Sequence, residues 1–223
     1  MPIAVCQYRL SVLADPQTPD PGATADAASP IGNTYDKYGT SNPIAKRLMA
    51  GFFDALDSAL PQGASNILEV GVGEGEVLER LRDRYSPDVA VGLDLPGGGL
   101  RSHWQHRQID AMEANAEKLP FPDGSFDLVV CVEVLEHVEY PALVLDEIAR
   151  VASHSVVVSV PREPIWRIAN MARGQYITDM GNTPGHINHW SSKAFAKFVA
   201  SHLEVVEVQH PFPWTMVKAS RAS

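Results

Sequence analysis

Residues 66–75 read Asn66-Ile67-Leu68-Glu69-Val70-Gly71-Val72-Gly73-Glu74-Gly75, a short apolar run closed by three alternating glycines. Such a run predicts a strand, and Val77, Leu78, Leu81 and Tyr85 beyond it recur at helical spacing. The unit is a strand, a tight turn and a helix. Alternate glycines let the chain turn sharply and let a ligand approach the backbone where a Cβ would intrude, while the helix start offers unpaired N–H groups. A small polar ligand is expected there. Nucleotide cofactors of several kinds use a loop of this type, so the loop alone does not choose among them.

Two details narrow the choice. The dinucleotide pattern G-x-G-x-x-G, started at Gly71, requires glycine at position 76, where Glu76 stands. Glu74 and Glu76 also put negative charge beside the helix start, which opposes a pyrophosphate and tolerates a cationic sulfonium. Farther on, Gly92-Leu93-Asp94-Leu95 ends a second apolar run with a carboxylate suited to accept from both hydroxyls of a ribose. S-adenosylmethionine fits this combination better than a nicotinamide dinucleotide.

The alternation continues outward. Strands are expected at Val89–Leu93, at Ile109–Ala114 as an edge, at Phe126–Val132 (FDLVVCV) after the turn Pro122-Asp123-Gly124-Ser125, and at Ser155–Val160. Pro141 opens a helix bearing Val144, Leu145, Ile148 and Val151, and Phe195, Phe198, Val199 and Leu203 mark another. Glu204–Gln209 and Phe212–Lys218 close the chain as paired strands, with Pro213 favouring an edge or the mouth of the last one. Upstream, Ile44, Leu48, Met49, Phe52, Phe53, Leu56 and Leu60 form a helical stripe after Pro43. The fold class is α/β: a mostly parallel sheet with helices on both faces and ligands beyond the carboxyl ends of its strands.

Residues 1–33, rich in Pro, Ala, Asp and Gly from position 13, read as a mobile leader to a domain over 34–223. Within that domain, residues 161–190 interrupt the alternation and read as a lid over the acceptor. A formal charge of -9 and the lack of a dense Lys/Arg cluster argue against nucleic acid. No apolar run approaches the ~20 residues a membrane span needs, and the start lacks a secretory pattern, so a cytoplasmic location is expected. Two cysteines, Cys6 and Cys131, exclude a disulfide framework or a four-cysteine zinc site.

The ordered runs ILEVGVGEG (67–75), GLDL (92–95) and NAEKLPFPDGSFDLVVCVEVLEHV (115–138) resemble the class I S-adenosylmethionine-dependent methyltransferases, in particular the group called methyltransferase type 11. The resemblance covers residues 66–160 well and the tail to 218 loosely. It implies a Rossmann-like seven-stranded sheet whose last strand is antiparallel. It places Glu69, Gly71, Val72, Gly73 and Gly75 around the methionine part of the cofactor and Asp94 at the ribose, with Leu95 also among the cofactor-binding residues. Asn115, Ala116 and Glu117 border the adenine, and Val132 and Glu133 face the cofactor from the fourth strand. Where this group usually has Asp, the chain has Asn115, whose amide oxygen can still accept from the adenine amine. Tyr35 and Tyr38 either close over the cofactor or pack the first helix.

Methyl transfer needs alignment above all, and a base only where the acceptor holds a proton. The candidates are His189, His186 and His137. His186 and His189 can share a helical face at i, i+3, yet they follow Pro184-Gly185, so a turn suits them equally; structural and substrate-orienting roles stay open. Without a visible third ligand no metal site is expected. Glu136-His137 also reads as a solvated helix start. The expected function is methylation of O, N or C on a small molecule, leaving S-adenosylhomocysteine. The rival readings are a nicotinamide-dependent oxidoreductase and a non-catalytic cofactor-binding protein.

Overall fold

A computed structural model describes residues 42–97, 99–174 and 176–221. The expected leader, with Tyr35 and Tyr38, lies outside the described residues, as does Gly98 of the Pro96–Gly99 loop.

Helix α1 (Pro43–Ala59) begins as its caps dictate: Asn42 Oδ1 accepts the Ile44 N–H at 2.9 Å, and Pro43 occupies the first turn. Its stripe is buried at Phe52, Leu56 and Ala59, whereas Ile44 at the start is 68% exposed. There follow β1 (Asn66–Val70), α2 (Glu76–Tyr85), β2 (Val89–Asp94), α3 (Leu100–Arg107), β3 (Asp110–Glu113) and β4 (Phe126–Val132). The second half comprises α4 (Pro141–Val151), β5 (Ala152–Pro161), α5 (Ile165–Ala172), a 3-10 turn (Ile177–Asp179), α6 (Ser192–Ala200), β6 (Glu204–Gln209) and β7 (Trp214–Ser220).

The described residues form one seven-stranded sheet in the order β3-β2-β1-β4-β5-β7-β6. Strands β1 to β5 pair in parallel, and β7 runs antiparallel to both β5 and β6. The unbroken apolar runs follow from this geometry, because successive side chains of a strand covered on both sides serve two different cores. On β4, Phe126, Val129 and Cys131 join α4 and α6, while Leu128, Val130 and Val132 join α1 and α2. Each large side chain fully buried this way contributes about 1.5–3 kcal/mol.

Several boundaries differ from expectation: β5 begins at Ala152 rather than Ser155 and ends at Pro161, β2 runs on to Asp94, and β3 stops at Glu113. Ile109 is not in β3; it packs with Val72, Leu78 and Trp104 under the glycine loop. The last strand starts at Trp214, so Pro213 sits at its mouth, and β7 is an interior strand rather than an edge. Val134–His137 forms a turn closed by His137 N–H to Val134 O at 2.9 Å, not a helix start.

The strand order reverses between β1 and β4, which opens a crevice beyond their carboxyl ends. The glycine loop after β1 forms one wall, and Glu133 to His137 after β4 lie at the other.

Candidate functional site

The glycine loop is held by its neighbours. Gly71 and Val72 donate N–H bonds to Leu93 O at 2.8 and 2.9 Å, Gly75 donates to Val72 O, and Trp104 Nε1 on α3 donates to Gly73 O at 2.8 Å. All three glycines have positive φ: +78° at Gly71, +49° at Gly73 and +90° at Gly75. Their roles then separate. A Cβ at Gly71 would overlap the Val134 side chain, and one at Gly75 would overlap Ile109. A Cβ at Gly73 would enter open space. Two of the glycines therefore serve packing, and of the three only Gly73 has open space at its Cβ position.

Asp94 Oδ2 accepts the Gly73 N–H at 2.7 Å and Oδ1 accepts the Leu95 N–H at 2.8 Å. The carboxylate thus stands beside the open glycine, and each oxygen keeps a lone pair for a hydroxyl. Burial raises its pKa above the usual value, against the pull of those two amide bonds. Leu95 is exposed at the rim.

Glu69 on β1 is 2% exposed, and its Oε2 has no hydrogen-bond partner among the described residues. Burial raises its pKa well above the ordinary glutamate value; a bond from the Leu78 main chain works the other way, and the charge of Asp94 adds to the rise. An orphaned carboxyl oxygen next to a glycine loop is a socket for a cation. The linkage sign follows: with its folded pKa raised, Glu69 stabilises the fold below the unfolded pKa, and that contribution is lost as pH rises through the folded value. Glu69→Gln is therefore expected to remove this decline, so that thermal melts of the two proteins converge in acid and the variant melts higher at neutral pH. Parallel melting curves across pH would contradict the assignment.

Other expected positions fare differently. Glu76 does not present a bare charge, because Arg107 pairs with both Glu76 and Glu79. The electrostatic objection to a diphosphate therefore rests on Glu74. Asn115 is exposed, and its Oδ1 already accepts the Glu117 N–H at 2.9 Å, a local turn that engages the oxygen expected to meet adenine. Ala116 packs against the core. Val132 is buried at the end of β4. Glu133 has φ +60°, costly for a residue with a Cβ, and its carboxylate accepts from Trp214 Nε1 at 2.7 Å and Ser159 Oγ at 3.2 Å. It is directed at β5 and β7 rather than held out as a free ligand for a cofactor.

The histidines do not share a helical face. His189 is exposed, with Nε2 2.7 Å from Asn182 Oδ1. Its pKa is lowered by burial of the ring and by the charge of Arg167, with Glu163 opposing. His186 is 8% exposed and stacks on Trp166 with ring centroids 5.9 Å apart. The His137 ring meets that of His186 edge-on at 4.8 Å. Glu136, which also reads from sequence as part of a solvated helix start, is 1% exposed and lies with these two imidazoles. Sequence reasoning missed this buried carboxylate, and also Trp104 and Trp214; the one available signal for Glu136 was the apolar frame Val134-Leu135 and Val138 around it. A hollow of about 470 Å³ lined by Pro43, Ile44, Arg47, Leu48, Gly51 and Phe212 shares no residue with the crevice.

A family model described as a methyltransferase domain matches residues 68–158, the span from β1 through β5 that carries these features. Over this span the chain is similar to the methyltransferase-domain family. The chain is also similar to the ubiquinone biosynthesis O-methyltransferase of Ruegeria pomeroyi, 31% identical over 144 residues, covering 57% of this chain and 57% of that protein. It is also 38% identical over 90 residues to the fatty-acid O-methyltransferase of Mycolicibacterium smegmatis, covering 38% of this chain and 32% of that protein. The chain thus spans about a third to just over half the length of the curated relatives it matches. A solved S-adenosylmethionine-dependent methyltransferase from Aquifex aeolicus shares the fold, with a TM-score of 0.63 at 16% identity over 81% of this chain and 94% of that one. So does the magnesium protoporphyrin IX methyltransferase of Synechocystis, solved with bound S-adenosylhomocysteine, with a TM-score of 0.59 at 16% identity over 82% and 90%.

Proposed function

We propose that the chain transfers a methyl group from S-adenosylmethionine to a small-molecule acceptor, with oxygen as the favoured acceptor atom among O, N and C. One observation carries this reading: beside the strand-order reversal Asp94 accepts the N–H of Gly73, whose Cβ position is open, and its charge acts on the buried, orphaned Glu69 carboxyl. In this reading Glu69 lies toward the cationic methionine end, Gly73 lets the cofactor lie against the backbone, and Asp94 accepts from the ribose. Ala116 and Glu117 border the adenine. Oxygen is favoured because the relatives include O-methyltransferases named for fatty acids and ubiquinone biosynthesis. No observation favours the oxidoreductase alternative. Among the described residues no helix is long and apolar enough to cross a membrane. The proposal includes a cytoplasmic setting, which suits the free, buried Cys131, and an acceptor other than nucleic acid, which suits the acidic chain.

The cofactor supplies a methyl group already activated by a sulfonium that leaves as a neutral thioether. What remains for the protein is alignment, worth up to ~7–11 kcal/mol, and removal of the acceptor proton. His189 suits the second task. Asn182 Oδ1 accepts from its Nε2, so Nδ1 holds the lone pair, and the lowered pKa keeps the ring neutral at physiological pH. Activity is expected to rise with pH through that lowered value and to reach its plateau below the usual histidine range. His189→Ala is expected to lower kcat by about 100-fold, within the span of a lost general base, and to remove that acidic limb while leaving cofactor affinity in place. Equal loss of turnover and cofactor binding would assign His189 to structure instead.

The test of the activity is incubation of the full chain with methyl-labelled cofactor and a metabolite extract. A labelled small molecule that disappears in Asp94→Ala is the expected result. Cofactor binding with no labelled product from extract would contradict the enzymatic reading.

A further inference from the structure

We propose that Glu136, His137 and His186 bind one divalent transition-metal ion, of the zinc or cobalt class, at the seam between the turn after β4 and the 161–190 segment. One ligating atom from each residue lies within 4.8 Å of the other two. Glu136 is 1% exposed and His186 8%, so two of the three side chains are held inside the protein. The site goes beyond the methyl-transfer reading and does not depend on it.

Hydrogen bonds made through other atoms already set these side chains. Ile187 and Asn188 donate their N–H groups to Glu136 O at 2.9 and 3.1 Å, and Asn188 Nδ2 donates to Leu135 O at 3.0 Å and Val138 O at 2.6 Å. The strands of chain carrying His186 and Glu136-His137 are thereby stitched together. His137 Nδ1 lies 3.0 Å from Gly185 O. A carbonyl only accepts, so Nδ1 carries the hydrogen and Nε2 keeps its lone pair. That Nε2 is the atom 3.9 Å from Glu136 Oε1. An imidazole whose far nitrogen donates to a main-chain carbonyl is the usual arrangement of a metal-bound histidine. His186, wedged between the His137 and Trp166 rings, is likewise restrained in orientation.

The donor set points the same way: one carboxylate and two imidazoles offer a divalent cation an anionic oxygen and two nitrogens. Two nitrogens and one oxygen suit zinc and its borderline neighbours, and three protein ligands leave a position open. Coordination bonds of about 2.0–2.2 Å bring ligand atoms to roughly 3–3.6 Å of one another, so the widest separation in the cluster closes by about 1–2 Å through side-chain rotation. Bound there, the ion ties the 161–190 segment to the carboxyl end of β4.

Cobalt titration of tag-free, chelator-treated full chain tests the site. Expected are visible ligand-field bands of a low-coordinate nitrogen and oxygen site, saturating at one equivalent, bleached by zinc, with a metal-dependent rise in Tm. His186→Ala and Glu136→Gln are expected to lose the bands, and His103→Ala, an exposed imidazole on α3, to keep them. S-adenosylmethionine affinity, measured by calorimetry on the same samples, separates loss of the site from loss of the fold. Wild-type protein showing only the faint spectrum of hydrated cobalt overturns the proposal, whatever the variants do. So do strong bands that survive in both His186→Ala and Glu136→Gln. Failure of the wild type to bind S-adenosylmethionine would count against the methyltransferase reading alone.

Discussion

Gly73→Val is expected to lower S-adenosylmethionine affinity by about 100-fold or more, roughly 2.7 kcal/mol, while leaving the fold in place. Nothing in the protein lies within 4 Å of the Cβ position, so no internal clash arises. The residue pays only the left-handed backbone cost of about 1–2 kcal/mol at φ +49°. What the branched side chain does occupy is the space in which the cofactor is proposed to approach the loop. Gly71→Ala and Gly75→Ala supply the contrast, since their new methyl groups meet Val134 and Ile109. Overpacking of about 1–3 kcal/mol added to the backbone cost should lower Tm by several degrees. Calorimetry and thermal melts on the three variants separate ligand space from packing space. If Gly73→Val binds normally, the cofactor does not lie where proposed.

Asp94→Ala should be at least as damaging. It removes the acceptor proposed for two ribose hydroxyls and also the one that holds the Gly73 and Leu95 amides. Hydrogen bonds to a charged group contribute about 1.5–3 kcal/mol each, so losing two predicts a fall of about 10²- to 10⁴-fold in affinity. Asp94→Asn keeps one acceptor oxygen and should fall between. A pH signature accompanies the substitutions. Because burial raises the Asp94 pKa, wild-type affinity should begin to drop on acidification at a higher pH than an ordinary aspartate would dictate. Asp94→Asn should lack that drop. Unchanged affinity in Asp94→Ala would remove the ribose from this position.

What was legible in the sequence follows a physical line. Strand β4 was readable to the residue, because a parallel strand covered on both sides must be apolar throughout and its ends are set by local turn chemistry. The place of Asp94 at a strand end and the positive φ of Gly73 were readable for a similar reason, since both depend on local sequence. Side chains whose surroundings come from distant segments were not. Glu76 looked like an uncovered acid at a helix start until Arg107, at the end of the next helix, was placed against it. The turn bond that the Asn115 oxygen accepts from Glu117 was not readable either, because composition does not reveal such local pairing. Glu136 looked solvated because acids favour exposed turns, and its burial depends on Gly185–Asn188 folding back over it. His186 and His189 looked like a pair by spacing, yet the chain between them is not helical and turns one inward and the other out.

The central claim is that a nucleoside with a cationic sulfur rests on the backbone of the glycine loop, its sugar at Asp94. A crystal structure of the full chain with S-adenosylhomocysteine tests it most directly. The account predicts the ribose hydroxyls within hydrogen-bond distance of the Asp94 oxygens, the chain passing the open side of Gly73, and the amino group toward Glu69. Density for the ligand elsewhere, with Asp94 contacting only Gly73 and Leu95, would contradict it.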